Sequence, residues 1–236
     1  MNKNKIVYSV YLNGLNNIHV QTKNKKLGNG IHNISLLPGS GLLTKKDGTV
    51  LCNIPGTCAG CCKGCEHNCY AKRYTVYHHN TCVPAYADNT VLAINDPEKY
   101  WNLLQNYLDN NIVSVFRFHV SGEIPNEKYL LRMIELCENN KLVHFYIYTK
   151  RFTWIEKHAD EIPENLHVLV SIWHKNYSNP LGFAEFIYDD GTEPELEKVF
   201  HCPAVDKNGN ETGITCAKCK NCIYARKGDK IAVYAH

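Results

Sequence analysis

The fold is decided by residues 112–148, which read IVSVFRFHVSGEIPNEKYLLRMIELCENNKLVHFYIY. Residues 112–120 are rich in valine and phenylalanine and predict a strand, as do residues 143–148. Between these strands, the apolar residues of 125–139 recur at the spacing of a helix. A strand, a helix and a second strand in this order predict a parallel βαβ unit.

The same alternation continues on both sides of this stretch. Asp96 followed by Pro97 is typical of a helix start, and Tyr100, Trp101 and Leu104 then form an apolar stripe. Further predicted elements are strands at 31–37, 49–54, 167–173, 198–201 and 230–235 and helices at 69–79 and 152–160. Repeated about five or six times, βαβ units curl into a barrel. We therefore expect an α/β fold with a partial (βα)6-type barrel.

No internal repeat or low-complexity linker divides the chain, which predicts a single domain over 1–236. Its core barrel would span about 31–201, and a cysteine-rich segment would follow over about 202–236. Residues 181–197 are polar and acidic and are interpreted as a lid or an insertion. The chain has 44% hydrophobic and 21% charged residues, the balance of a folded globular protein rather than a disordered one.

Whether the 12 cysteines bind metals or form disulfides depends on the cellular compartment. We find no apolar run long enough to span a bilayer and no signal-peptide core near the N-terminus, so we expect a cytoplasmic protein of a bacterium or a phage-infected host. Cytoplasmic thiols stay reduced and available to metals, whereas export would favour six disulfides. The net charge of only +3 does not indicate avid nucleic-acid binding, although basic clusters occur near Lys25 and Lys220.

The first cysteine cluster places five cysteines within the twelve residues 58–69. Thiolates at this density can converge on one soft metal centre, which favours a [4Fe–4S] cluster. Several ligand sets remain open: Cys58 and Cys62 with either Cys65 or Cys69, and Cys61 in place of Cys62. A zinc site closed by four of these cysteines is the alternative.

The second cluster is Cys216-x2-Cys219-x2-Cys222, with Cys202 as the nearest remote cysteine. Three closely spaced cysteines and one distant cysteine are typical of a ferredoxin-like [4Fe–4S] site, and four thiolates suit zinc equally well. With four protein ligands this centre would be closed. Of the other cysteines, Cys137 is interpreted as a core residue, and Cys52 and Cys82 leave room for a third centre.

Polar residues follow the strand at 112–120. Because side chains alternate along a strand, Arg117, His119 and Ser121 are expected to share one face, near the end that lines the mouth of a barrel. Lys150 follows the next strand and is expected at the same mouth. These residues are candidates for catalytic roles, and a buried ion-pair network in an ordinary α/β core is the alternative.

Two motifs together resemble those of radical S-adenosylmethionine enzymes. Cys58-x3-Cys62-x2-Cys65 is similar to their three-cysteine signature, and Ser121-Gly122-Glu123 resembles their Gly-Gly-Glu turn, with Ser121 in place of the first glycine. The resemblance implies a [4Fe–4S] cluster with one open iron that binds S-adenosylmethionine. It also implies that the turn binds the cofactor's amino group and that a flavodoxin or ferredoxin donates electrons.

Most of the chain also resembles a phage-encoded family called gene product 88. The matching pieces are Thr57-Cys58, Cys62, Cys69-Tyr70-Ala71, Arg117–Gly122, Tyr148-Thr149-Lys150, Cys202-Pro203-Ala204, the run from Cys216 to Cys222, and 231–236. This resemblance favours Cys58, Cys62 and Cys69 as ligands. It implies a fold and a cluster rather than a particular reaction.

Three functions are compatible with these patterns. The leading hypothesis is a radical S-adenosylmethionine-like enzyme of unknown substrate. The second is a metal-stapled protein without catalysis, whose basic C-terminal segment and aromatic residues bind nucleic acid. The third is an iron–sulfur enzyme on the same scaffold that does not use S-adenosylmethionine.

Overall fold

A computed structural model of the chain describes residues 8–10, 14–39, 43–45, 50–52, 57–58, 63–67, 69, 71, 81–173, 178–189 and 199–234. The fold is mixed α/β. Its strands are β1 Tyr8–Val10, β2 Val20–Gln21, β3 Ile31–Ile34, β4 Leu43–Lys45, β5 Val50–Cys52, β6 Val115–Phe118, β7 His144–Thr149, β8 Leu166–Ile172, β9 Ala184–Asp189, β10 Phe200–His201 and β11 Lys230–Tyr234. Its helices are α1 Lys63–His67, α2 Cys82–Asn95, α3 Pro97–Asp109, α4 Glu127–Asn139, α5 Phe152–Lys157, α6 Cys216–Cys219 and a 3-10 turn at Ala159–Glu161.

The larger sheet has eight strands in the order β10-β11-β9-β8-β7-β6-β3-β2. Six of these strands, in the order β10-β11-β9-β8-β7-β6, pair in parallel with their neighbours. Among the described residues the two outer strands, β10 and β2, do not pair with each other, so the sheet is open. A second sheet has three strands in the order β1-β4-β5. The prediction of an α/β fold is therefore confirmed.

The chain forms two compact units. Unit 1 comprises residues 1–20, 33–112 and 119–136, and unit 2 comprises 21–32, 113–118 and 137–236. In unit 1, Leu37 packs with Val83, Tyr86 and Val91 of α2. In unit 2, the rings of Phe118 and Phe145 stack with their centroids 5.6 Å apart. Each unit thus has apolar packing of its own, and the prediction of one domain stays a prediction.

The strongly periodic elements are found where the sequence predicts them. The predicted strands at 112–120, 143–148, 167–173 and 230–235 correspond to β6, β7, β8 and β11. The predicted helix after Asp96 is α3, and its first turn is capped by the Asp96 carboxylate, which accepts a hydrogen bond from the Lys99 amide at 3.2 Å. Tyr100, Trp101 and Leu104 form its buried side. Of the predicted helix at 69–79, only residues 69 and 71 belong to the described part of the chain.

Helix α2 was not predicted, because its sequence lacks an exposed polar face. Nine of its residues are buried, and they include Asp88, Asn89 and Thr90. Thr90 accepts a hydrogen bond from the Leu37 amide at 2.9 Å, and Asn89 donates one to the Ser35 carbonyl at 3.0 Å. A helix that is buried on most sides gives no amphipathic period for sequence reasoning to detect.

The interpretation of residues 181–197 as a lid or an insertion is wrong for the part that the structure describes. Ala184–Asp189 is strand β9, which lies between β8 and β11 inside the sheet. Only Ala184 and Asp189 of this strand are buried, and the four residues between them are half-buried. The strand therefore has neither the alternation nor the apolar run that indicates a strand. Residues 190–198 lie outside the described residues.

Strands β10 and β11 are neighbours and parallel, and residues 202–229 connect them. Parallel neighbours need a crossover connection, which is usually an α-helix. Here the crossover, called the C-terminal cysteine segment below, contains four cysteines and the single-turn helix α6. None of the helices described in the structure has the length and apolarity needed to cross a lipid bilayer.

Candidate metal centres

In unit 1, Cys58 is held by the chain that follows β3. The Cys58 amide donates a hydrogen bond to the Gly39 carbonyl at 3.0 Å. The neighbouring Thr57 hydroxyl donates to the Leu37 carbonyl at 2.6 Å and accepts from the Glu123 amide at 3.2 Å. The buried Thr57 hydroxyl therefore links the cysteine loop to the Ser121–Glu123 turn.

The Ser121–Glu123 turn approaches this loop closely because residue 122 has no side chain. Gly122 has a φ of +88°, which side chains rarely adopt. A Cβ atom there would lie 2.9 Å from both the Leu36 carbonyl oxygen and the Thr57 hydroxyl. On the other side of the glycine, the Leu36 amide donates to the Ser121 carbonyl at 2.9 Å.

The thiol of Cys58 lies among groups that oppose its ionisation. Burial, the largest cause, raises the pKa of Cys58 to about 12, and the nearby Glu123 and Cys69 raise it as well. Hydrogen bonds from Gly39 and Thr57 act in the opposite direction. A thiolate at this position therefore needs a bound cation to compensate its charge, which is the chemistry of a metal ligand.

The turn beside Cys58 also contains a buried polar atom without a partner. Within the described part of the chain, the Ser121 hydroxyl forms no hydrogen bond although it is shielded from solvent. The Glu123 carboxylate accepts a hydrogen bond from the Ile124 amide at 2.8 Å and is buried as well. Buried polar atoms are normally satisfied, so the Ser121 hydroxyl fits a site that is completed by a ligand.

His119 does not share a strand face with Arg117, contrary to our expectation. Strand β6 ends at Phe118, and His119 has a φ of +55°, so the alternation of side chains stops before it. His119 is buried in unit 1, where its ring centroid lies 5.5 Å from that of Tyr129. A non-glycine residue with positive φ is uncommon and is more frequent at functional sites.

In unit 2, Arg117 lies on one face of the sheet with two tyrosines. Arg117 and Tyr146 are directly opposite each other in the β6–β7 register, and Tyr148 is two residues further along β7. The guanidinium carbon lies 4.6 Å from the Tyr148 ring centroid and 5.8 Å from that of Tyr146. These distances are typical of cation–π contacts.

Three cysteines of the C-terminal cysteine segment, Cys202, Cys216 and Cys222, lie near the Arg117 guanidinium. Burial, the largest cause in each case, raises the pKa of Cys202 and Cys216, and it raises that of Cys222 to about 12. The Arg117 guanidinium lowers all three pKa values, and the other cysteines of the set raise them. The Cys219 thiol raises the pKa of both Cys202 and Cys216, and Cys202 and Cys216 raise that of Cys222, so each of the four thiols lies near at least two others.

Backbone hydrogen bonds attach this segment to the rest of unit 2. The amides of Cys216 and Ala217 donate to the carbonyls of Lys26 and Leu27 at 3.1 and 2.8 Å. The Cys202 amide donates to the Ala232 carbonyl of β11 at 2.7 Å. These bonds fix the backbone next to two of the four cysteines.

The surroundings of Lys150 differ from those of both Arg117 and His119. At the end of β7 it donates a hydrogen bond to the Ser171 hydroxyl at 3.0 Å, and its ammonium lies 5.9 Å from the Trp173 ring centroid. Trp173 in turn stacks on Tyr188 at 4.1 Å. The three candidate catalytic residues, Arg117, His119 and Lys150, are thus each described in different surroundings.

The predicted metal ligands are only partly described. In unit 1 the thiols of Cys58 and Cys69 interact, Cys65 lies on α1, and Cys61 and Cys62 lie outside the described residues. Among the described residues, no group of three or more His, Cys, Asp or Glu side chains is arranged to hold a metal ion as it stands. The ligand sets therefore stay predictions.

The remaining cysteines are simpler. Cys137 is fully buried on α4, which confirms its interpretation as a core residue. Cys82 begins α2, and the side chain of Cys52 is not among those described. Eight of the cysteines whose side chains the structure describes are free thiols: Cys58, Cys69, Cys82, Cys137, Cys202, Cys216, Cys219 and Cys222.

Sequence reasoning missed several residues of both sites. Thr57 stood beside a predicted ligand, but its bond to Glu123 spans 66 positions in sequence and leaves no local signal. Tyr146 and Tyr148 alternate with Phe145 and Ile147 along β7, which was the available sign that the two tyrosines share a face. Their proximity to Cys216 and Cys222 depends on the path of the C-terminal cysteine segment, which its composition does not determine.

Comparisons with known proteins identify a family but no characterised relative. No curated protein and no solved structure matches the chain. The sequence model of one family, described as gene product 88, matches residues 16–232 and thus includes both cysteine regions. The chain therefore belongs to the gene product 88 family.

Proposed function

We propose that the protein is an iron–sulfur enzyme that resembles radical S-adenosylmethionine enzymes. The observation that carries this proposal is the contact between Thr57-Cys58 and the Ser121–Glu123 turn. Cys58 is a candidate ligand of an open cluster, and the turn is the candidate cofactor-binding segment. The Glu123 amide bonds to Thr57 at 3.2 Å, directly next to Cys58.

The strand order supports the same proposal. The strands β3, β6, β7, β8, β9 and β11 are adjacent in the larger sheet in the order in which they occur along the chain, with β4 and β5 between β3 and β6 and β10 between β9 and β11. A partial (βα)6 barrel would have its strands in this order, with the cysteine loop between its first two strands and the Ser121–Glu123 turn after the second. Sites in such folds lie beyond the carboxyl ends of the strands.

The chain's own residues have defined roles in this proposal. Cys58, Cys62 and either Cys65 or Cys69 would hold the open [4Fe–4S] cluster, which would supply the electron for reductive cleavage of the cofactor's sulfonium bond. Glu123 and the Ser121 hydroxyl hold the polar groups of S-adenosylmethionine. Gly122 allows the turn to approach the cluster loop. Cys202, Cys216, Cys219 and Cys222 hold a second, closed centre, and Arg117 compensates its negative charge.

The proposal places the protein in a reducing cytoplasm, where a flavodoxin or ferredoxin can supply electrons. Zinc remains the alternative metal at either centre. An iron–sulfur enzyme on the same scaffold that does not use S-adenosylmethionine remains the alternative chemistry.

The test is anaerobic reconstitution with iron and sulfide, followed by analysis of iron, zinc and acid-labile sulfide. The loaded protein is then incubated with S-adenosylmethionine and a reductant, and 5′-deoxyadenosine is measured. We expect cleavage by the unmodified chain, and we expect Cys58→Ala to lose both the iron of one cluster and all cleavage.

Glu123→Gln separates the two parts of the proposal. It should keep the iron and sulfide content while weakening S-adenosylmethionine binding. Cys137→Ala, at a buried cysteine that belongs to neither predicted ligand set, is the matched control and should keep both properties. Zinc without sulfide after anaerobic purification would refute the iron–sulfur proposal. An intact cluster that a small ligand perturbs, without cofactor cleavage, would instead favour the enzyme that does not use S-adenosylmethionine.

A further inference from the structure

A cavity of about 340 Å³ opens on the surface of unit 2 beside the C-terminal cysteine segment. Its lining includes Phe200 of β10, Tyr224, Lys220 and Lys230. Phe200 is 44% exposed and Tyr224 is 42% exposed. Two partly exposed aromatic rings at one cavity are typical of a binding surface rather than of a closed core.

Positive charge is concentrated in the same part of the chain. Residues 199–236 contain six lysines and arginines but only three aspartates and glutamates. This excess equals the +3 of the whole chain, so the remaining residues are balanced. A local excess of this kind attracts anionic partners, although the net charge of the protein is small.

Lys220 has a backbone conformation that is unusual for a lysine. Lys220 ends α6 with a φ of +65°, and its amide donates to the Cys216 carbonyl at 2.8 Å. Glycine would adopt this conformation without steric cost, and asparagine is the usual substitute. A lysine here instead places a positive charge at the edge of the cavity, between two cysteines.

The acidic groups near the cavity are engaged in local structure. The Asp229 carboxylate lines the cavity and accepts a hydrogen bond from the Arg226 amide at 2.8 Å. Glu185 lies 3.3 Å from the Lys230 ammonium and partly neutralises it. Lys220 is therefore the cationic residue of the cavity on which the proposal mainly depends.

We propose that this surface binds single-stranded nucleic acid. A base would stack on Tyr224 or Phe200 while neighbouring phosphates contact Lys220. Single strands offer both an open aromatic face and a row of negative charges, and known single-strand sites combine the same two features. In a duplex the base faces are already stacked and are not available to the two rings. This inference goes beyond the proposed iron–sulfur chemistry and does not depend on it.

The test is fluorescence anisotropy with a labelled single strand of about twenty nucleotides, as DNA and as RNA, and with the corresponding duplex. We expect the full chain to prefer single strands over the duplex, with affinity that falls as salt rises. Phe200→Ala and Tyr224→Ala should each weaken binding by about tenfold.

Lys220→Gly should reduce the slope of affinity against salt by about 0.7 on logarithmic scales, the loss of one phosphate contact. Glycine suits the positive φ, so this variant tests charge without straining the fold. Lys128→Ala is the matched control, because it removes an exposed positive charge from a helix in unit 1 and should leave binding unchanged.

Three outcomes would overturn the inference. The first is equal affinity for duplex and single strand, which would indicate charge alone. The second is binding of adenosine monophosphate or inorganic phosphate without binding of the polymer. The third is unchanged binding by both Phe200→Ala and Tyr224→Ala in correctly folded protein, as judged by circular dichroism. None of these outcomes would alter the iron and sulfide content, so they leave the proposed function untouched.

Discussion

The two cysteine regions surround their thiols with opposite charges. In unit 1, Cys58 lies near Glu123 and Cys69, and both raise its pKa in the same direction as burial. In unit 2, three of the four cysteines lie near Arg117, which lowers their pKa values against the effect of burial. The second region thus contains a fixed cation of its own.

If both regions bind metal as proposed, this difference separates two kinds of centre. Arg117 can compensate a permanently bound anionic cluster, so the second region fits a closed structural or electron-transfer centre. At Cys58 the neighbouring groups add negative charge, so compensation has to come from what binds there. A centre of that kind is suited to ligand exchange and chemistry. The following predictions test this contrast, in order of decreasing expected effect.

The largest effect is expected from removing Cys216 and Cys222 together by substitution with alanine. The double variant should lose the metal of one complete centre and about 3 kcal/mol or more of unfolding free energy, because a bound metal stabilises the crossover that holds it. Metal analysis and denaturant unfolding measure the two effects. Cys58→Ala should lose a centre with a smaller loss of stability. Equal destabilisation by both variants would contradict the contrast.

A smaller effect is expected from Gly122→Ala, compared with Gly30→Ala. Both glycines have a positive φ, at +88° and +83°, but a Cβ at Gly30 meets nothing within 4 Å. Gly30→Ala should therefore cost only the backbone strain, about 1 kcal/mol. Gly122→Ala adds a clash with Leu36 and Thr57 and should cost about 2 kcal/mol more while weakening S-adenosylmethionine binding. Similar unfolding midpoints for the two variants would refute the close approach.

Much of the fold could be predicted because the central elements have clear periods. Strand β6 is buried in alternation, strands β7 and β8 contain runs of buried residues, and helices α3 and α4 are buried on one side. Their sequences record these patterns. Helix α2 and strand β9 were missed for opposite reasons. One is buried on most sides and the other is half-buried along its length, so neither produces a period.

The sites could be predicted only where a local motif exists. The Cys58 motif and the Ser121–Glu123 turn could both be recognised, because each is contiguous in sequence. The position of Arg117 near Cys202, Cys216 and Cys222 depends on contacts across about a hundred residues, and no local pattern records it. Arg117 was therefore assigned by sequence to the mouth of a barrel rather than to the second cysteine region.

The role of Arg117 can be tested with Arg117→Met, which keeps a long apolar side chain but removes the charge. Because Arg117 lowers the pKa of Cys202, Cys216 and Cys222, its loss should raise these values and let protons compete better with metal. Release of the second centre should move to higher pH, by about one unit or less. A metal-retention profile against pH measures this shift.

Arg151→Met is the matched control, since Arg151 also lies over an aromatic ring, that of Trp154 at 4.9 Å. Its pH profile should equal that of the unmodified chain. A shift of the same size in both variants would indicate a general effect of charge and would remove the special role of Arg117.

The smallest effect concerns His167, which contacts the C-terminal cysteine segment. Burial, the largest cause, lowers its pKa below the ordinary 6.5, although its bond to the Ala225 carbonyl acts in the opposite direction. The unfolded chain therefore binds a proton first as pH falls below about 6.5, and the folded state loses stability there. His167→Asn can still reach the Ala225 carbonyl, and its stability should fall less steeply between about pH 7 and 5. Identical slopes in denaturant titrations would contradict this.

The placement of β11 between β9 and β10 has a consequence for how the protein matures. The strand can take this position only after the 28 residues 202–229 have crossed over the sheet, and they have almost no helix to guide them. If metal capture organises that crossover, a newly made chain in an iron-starved cell keeps β9 as an open sheet edge. Open edges recruit strands from other chains. We therefore expect aggregation of newly made chains to be the first effect of iron shortage on this protein.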